Sequence, residues 1–184
     1  VFMVTLLLKV QYEKQATDLR AMGEQLKNAA DHDALTTLYN RRYLNGYLEQ
    51  LIQQKHADFY AVLLDLDFFK KINDTYGHVF GDEVLVAFGQ ILEKYLPDNG
   101  IAVRFGGEEF MLILPDTTED DIRRLLQSMR SEYKQFIKMK KNAMYSFSSG
   151  VAQYQTGMEI SALYSLVDGK LYRAKNDNRD KDVF

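Results

Sequence analysis

A chain of 184 residues, 46% hydrophobic and 27% charged, is long enough to bury its own core and too apolar to stay disordered. Its net charge of -3 argues against a surface built to neutralise a nucleic-acid polymer, which needs clustered Lys and Arg, but permits a single nucleotide held through a metal. The lack of cysteine excludes disulfides, zinc-thiolate centres and thiol catalysis, and fits a cytoplasmic catalytic domain.

The chain starts at Val1, and its opening run VFMVTLLLKV is shorter than the roughly 20 apolar residues of a membrane span. It also lacks the basic start and cleavage site of a signal peptide. We therefore expect a longer parent protein, with an upstream sensor domain and room for a membrane anchor. Leu8, Tyr12, Gln15, Leu19, Met22, Leu26 and Ala29 alternate in steps of four and three, the seam of a two-stranded coiled coil. Residues 1–30 are thus expected to be a dimerisation helix ahead of a domain over 31–184. The competing reading is one amphipathic helix packed on its own domain.

In DHDALTTLYNRRYLNGYLEQLI, Asp33 or a neighbouring Thr is the expected cap of a helix whose core residues are Tyr43, Leu44, Tyr47, Leu48 and Leu51. Both alternating sets of DFYAVLLDLD are apolar, as in a central strand covered on both faces. FFKKINDTYG and VFGDEVLVAFGQILEKYL read as two helices parted near Gly77 to Gly81. IAVRF and FMLIL form a hairpin around GGEE, and TTEDDIRRLLQSMRSEYKQFI is a helix capped by Thr117 or Thr118. AMYSFSSGVAQYQ is a strand and ISALYSLVDGKLYRAKNDN a closing helix. This order predicts an α/β (α+β) fold with one mixed, largely antiparallel sheet flanked by helices.

Asp65 and Asp67, two apart at a strand end, are expected on the same side of the sheet. With Glu108 and Glu109 at the hairpin tip, up to four carboxylates could converge, an arrangement that needs cations. Mg²⁺ answers that need, since it is held by one or two carboxylates together with substrate phosphates. Gly106 and Gly107 leave the tip open, and the helix starting near Phe68, with Lys70, offers amides and a charge to phosphates. Phosphoryl or nucleotidyl transfer is the reaction class these features suggest.

DALTTLYNRR, DLDFFKKINDTYGHVFGDEVL, RFGGEEF, FSSGVA and DGKLYRAKNDNRD stand in this order over residues 31 to 180, and together they resemble the GGDEF family of diguanylate cyclases in its GGEEF variant. The resemblance implies a fold related to the nucleotidyl cyclases and polymerase palm, and condensation of two GTP into cyclic di-GMP with release of two pyrophosphates. It implies that Asp65, the main-chain carbonyl of Leu66 and Glu108 hold two Mg²⁺ per half-site, or Mn²⁺ in its place, with Glu108 and Glu109 the catalytic carboxylates. Phe68, Phe69, Lys70, Lys175 and Arg179 would hold phosphates, and Asn73 and Asp82 would read guanine. Dimerisation through the N-terminal helix would bring two half-sites face to face. Pro97 and Gly100 replace the family's R-x-x-D product-inhibition pattern, so no allosteric product site is expected there. Asn178 stands where Gly is frequent and can take the left-handed conformation of a helix end. The alternatives are a catalytically silent GTP-binding module and a dimerising adaptor with a vestigial site.

Overall fold

The computed structural model describes residues 11–19, 22, 30–53 and 58–184. Residues 11–19 are helical. The remaining elements are β1 (Tyr39–Asn40), α1 (Arg41–Ile52), β2 (Phe59–Leu66), α2 (Phe69–Tyr76), α3 (His78–Tyr95), β3 (Ile101–Gly106), β4 (Glu109–Pro115), α4 (Glu119–Lys141), β5 (Phe147–Gln153), α5 (Ile160–Asn176) and β6 (Asp182–Val183). The six strands form one sheet in the order β1-β3-β4-β2-β5-β6. The inner pairings are antiparallel and the two edge pairings, β1 with β3 and β5 with β6, are parallel.

β2 lies between β4 and β5, and this position accounts for its unbroken apolar run. Val62, Leu64 and Leu66 enter a core shared with α2, α3 and α4. Ala61 and Leu63 enter a second core on the other face with α1 and α5. The helix period does the same work above the sheet: Val84, Leu85, Phe88, Ile91 and Leu92 of α3 are buried on the spacing of a single stripe. The break between α2 and α3 falls at Gly77, φ 83, at the N-terminal end of the expected interval.

Thr118 caps α4, accepting the Asp121 amide at 3.2 Å, and the first turn carries Glu119, Asp120 and Asp121. The cap of α1 differs from expectation. It is Asn40, whose side chain accepts from the Tyr43 amide at 3.1 Å. Asp33 instead closes a turn before β1, accepting from the Thr36 amide and hydroxyl at 2.9 and 2.8 Å. The chain must first pass through β1, so the cap falls at Asn40, seven residues after Asp33.

In the heptad seam, Leu8, Leu26 and Ala29 lie outside the described residues. Tyr12, Leu19 and Met22 are 73%, 71% and 61% exposed, so these positions are not buried on the domain. Among the described residues, no helix is long and apolar enough to cross a membrane.

Candidate active site

Because β4 is the direct neighbour of β2, the hairpin tip lies beside the end of the central strand. Asp65 pairs in register with Glu109 on one side and with Ser148 on the other. The Leu66 amide donates to the Glu108 carbonyl at 3.3 Å. α5 crosses this face and brings Lys175 Nζ to 2.7 Å from Asp65 Oδ2. Its close approach depends on Gly150 of β5, where a Cβ would lie 2.2 Å from the Val167 carbonyl oxygen and 2.5 Å from the Leu171 amide nitrogen.

Burial pushes the Asp65 carboxyl up to about 6; Lys175 opposes the rise, and Glu108 and Glu109 add to it. A carboxylate made costly to ionise by burial and like charges is one that a bound cation relieves. Among the described residues, no three His, Asp or Glu side chains group closely enough to cage a metal. An oxygen-donor pair, Asp65 with Glu108, still suits Mg²⁺, which usually leaves positions for water and phosphate oxygens.

The expected convergence of four carboxylates does not form. Asp67 is 3% exposed; its carboxylate accepts from the Ser148 hydroxyl at 2.9 Å and the Asp180 amide at 3.1 Å, and faces Arg179 Nε at 3.8 Å. Burial raises its pKa, against those hydrogen bonds and Arg179. With one acceptor oxygen taken by β5 and the other by the chain after α5, Asp67 anchors that segment to the sheet.

Phe68 is left-handed at φ 59, ψ 29 and precedes α2 with no side-chain cap. Among the described residues no side chain caps the first-turn amides, the condition under which a helix start receives an anion. Phe69 is buried while Phe68 and Lys70 are exposed. Arg179 stacks over the Phe68 ring, its Cζ 4.7 Å from the centroid.

Asn73 of α2 lies against Gly81 of α3, the residue before Asp82. A Cβ at Gly81 would sit 1.9 Å from Asn73 Oδ1, so the bare α-carbon makes room for that amide beside Asp82. Asp82 is exposed and lines a surface cavity of about 430 Å³ with Leu35, Val79 and Val86.

Arg104, which the sequence reading left unassigned, fixes the hairpin tip. It donates through Nε and Nη2 to the Gly107 carbonyl at 3.1 and 2.9 Å, and through Nη1 to Asp33 at 3.0 and 3.3 Å. Its place directly before FGG was the available signal. The turn at Pro97 to Gly100 closes through a backbone hydrogen bond of 2.8 Å. Asn178 is left-handed at φ 68, as expected, and so are Arg179 and Asp180.

Residues 30–181 match the family model described as diguanylate cyclase, GGDEF domain. Diguanylate cyclase DgcM of Escherichia coli K12 is 39% identical over 168 residues, which is 90% of this chain and 41% of that protein. The solved coiled coil and GGDEF domain of DgcB from Caulobacter crescentus, in complex with c-di-GMP, superposes with a TM-score of 0.87 at 25% identity, covering 95% of both chains. Diguanylate cyclase SiaD of Pseudomonas aeruginosa, solved with its activator SiaC, gives 0.79 at 34% identity over 94% of this chain and 68% of that one. The chain spans 26% to 53% of the length of the curated relatives DgcM, DgcP and VdcA.

Proposed function

The chain belongs to the GGDEF family of diguanylate cyclase domains, and from that premise we propose that it condenses two GTP into cyclic di-GMP with release of two pyrophosphates. One observation carries this reading: Asp65 and the Glu108-Glu109 pair end adjacent strands beside the uncapped start of α2, with Lys175 2.7 Å from Asp65. Carboxylates for a metal, amides for phosphates and a cation for leaving charge thus share one sheet edge.

In this reading Asp65, the Leu66 carbonyl and Glu108 hold Mg²⁺, two ions per half-site, or Mn²⁺ in its place. The metal, when bound, lowers the pKa of the attacking 3'-hydroxyl, polarises the α-phosphate and neutralises pyrophosphate. Glu109, in register with Asp65, is a further ligand or a helper in catalysis. The amides of Phe68 and Phe69, with Lys70, Lys175 and Arg179, hold the phosphates.

Asp82 and Asn73 read guanine. Guanine presents adjacent N1-H and N2-H donors that one carboxylate accepts as a pair, and adenine cannot satisfy it in that way. Leu35, Val79 and Val86, which line the cavity with Asp82, supply apolar walls for a base.

A cyclic product needs two half-sites facing each other, each 3'-hydroxyl attacking the other α-phosphate. Dimerisation through the N-terminal helix meets that need. The exposure of Tyr12, Leu19 and Met22 supports a seam filled by a second copy, as does the likeness to a solved coiled coil and GGDEF domain. We further propose a cytoplasmic domain over 31–184 whose pose is set by an upstream sensor through residues 1–30.

The test is incubation of concentrated protein with GTP and Mg²⁺, chromatographic separation of the nucleotides, and Glu108→Ala as control. Cyclic di-GMP from the wild type alone supports the reading. GTP binding without product, persisting under forced dimerisation, would favour the silent binding module.

A further inference from the structure

Beyond α5 the chain does something costly. Asn178, Arg179 and Asp180 are left-handed in succession, with φ of 68, 58 and 53. Asn and Asp tolerate that region as single residues, whereas Arg, and three such residues in succession, adopt it only where surrounding contacts compel it. Those contacts come largely from α4 and β5. Arg130 of α4 grips Asp182 with both terminal nitrogens, at 2.9 and 2.5 Å, and its Nε lies 3.2 Å from Asp180. Lys134 Nζ lies 2.5 Å from Asp180, and the Ser146 hydroxyl donates to the same carboxylate. The Ser149 hydroxyl donates to Asp182 at 2.6 Å.

The side chains of Arg130 and Asp182 are only 14% and 17% exposed. The Arg130 guanidinium also lies over the Phe147 ring, 4.5 Å from its centroid. A paired, desolvated, stacked guanidinium has little rotational freedom. At the other end of the strap, the Asp180 amide donates to Asp67 at 3.1 Å and the Arg179 amide to the Ala174 carbonyl at 3.1 Å. Arg179 is the residue held between these anchors, its guanidinium over Phe68 and beside Asp67.

We propose that Arg130 is a positioning residue for substrate binding: by fixing Asp180 and Asp182 it holds the strap over residues 177–183 in its strained course and aims Arg179 at the terminal phosphates of GTP. This inference rests on the reading of the site given above. Arg130 acts through the strap, since its partners are Asp180, Asp182 and Phe147. Lys134 and Ser146 share the load at Asp180, and Asp182 also registers β6 on β5 through its pairing with Ser149.

The experiment compares wild type, Arg130→Met, Arg130→Lys, Asp182→Asn, Arg179→Ala and the Arg130→Met/Arg179→Ala double variant. It measures kcat and KM for GTP with Mg²⁺, affinities for GTP and GMP by calorimetry, and melting temperature. Arg130→Met is expected to raise KM and weaken GTP binding about tenfold, the scale of one charged contact. kcat and GMP affinity should change far less, because GMP lacks the phosphates Arg179 meets. The double variant should bind GTP no worse than Arg179→Ala alone. Arg130→Lys and Asp182→Asn should fall between wild type and Arg130→Met.

GTP affinity unchanged in folded Arg130→Met, equal weakening toward GTP and GMP, or multiplied losses in the double variant would each overturn the positioning role. Should Arg130→Met not fold, Asp182→Asn carries the same comparison. A wild-type chain that binds GTP but makes no product overturns the cyclase reading and leaves the strap to be judged on affinities. One that binds no GTP overturns both.

Discussion

Arg104 and Asp33 join parts of the chain 71 residues apart, the guanidinium reaching Asp33 Oδ1 at 3.0 Å while its other nitrogens hold the Gly107 carbonyl. One side chain therefore ties the segment leading into β1 to the tip that carries Glu108 and Glu109. Burial alone would raise the Asp33 pKa, but hydrogen bonds from Thr36 and Arg104, with the Arg104 charge, hold it below its ordinary value.

Asp33→Asn is therefore expected to lower stability by about 1–2 kcal/mol, the scale of a half-buried charged contact, and to lower kcat by loosening the tip. The folded pKa lies below the unfolded one, so the stabilisation is fully present above the unfolded value near pH 4 and is lost as pH falls through the folded value. Denaturation midpoints of wild type and variant should accordingly converge in acid. A constant gap from pH 7 down to pH 2 would show that Asp33 ionisation is not the source.

Asp82→Ser is expected to leave the melting temperature unchanged, since Asp82 is exposed, and to cut the preference for GTP over ATP by about tenfold or more through loss of a paired hydrogen bond. An unchanged preference removes Asp82 from base recognition. Gly81→Ala should also weaken GTP binding, because the new methyl claims the space of Asn73 Oδ1, 1.9 Å away. Its signature is a raised KM with the fold intact.

Gly150→Ala should destabilise the domain by about 2–3 kcal/mol, because its Cβ would meet α5 backbone at 2.2 and 2.5 Å. Backbone cannot rotate aside as a side-chain end can, so α5 must move and carry Lys175 from Asp65. Guanidinium unfolding and turnover measured on the same preparation check both parts. A stable variant with full activity would mean that α5 shifts without consequence for the site.

Leu19→Glu with Met22→Glu places charge on two exposed positions of the N-terminal seam. Specific activity at low protein concentration is expected to fall at least tenfold and to recover as concentration rises, because the two half-sites lose their tether. Sedimentation and initial rates over a dilution series make the comparison. Activity per chain that matches wild type at every concentration rules this seam out as the tether.

Added cyclic di-GMP is not expected to slow the initial rate through the turn at Pro97 to Gly100, where neither Arg nor Asp stands at those two positions. A rate series with added product tests this. Inhibition abolished by substitutions within that turn would contradict it.

The sequence by itself determined what depends on local period and local chemistry. Alternation made β2 a doubly covered strand, the 3.6-residue stripe placed Val84, Leu85, Phe88, Ile91 and Leu92 in the core, and Thr118 announced the start of α4. The motif residues Asp65, Glu108 and Glu109 were legible because their positions at a strand end and a hairpin tip follow from those elements. Tertiary structure alone decided where Asp67 turns, since its partners Ser148 and Asp180 lie 81 and 113 residues away. It also decided the pairing of Arg130 with Asp182 across 52 residues and the existence of β1 and β6, two residues each and too short to show alternation. Such contacts leave no periodic trace in the chain, because a buried charge selects its counter-ion by proximity after the sheet and helices have closed.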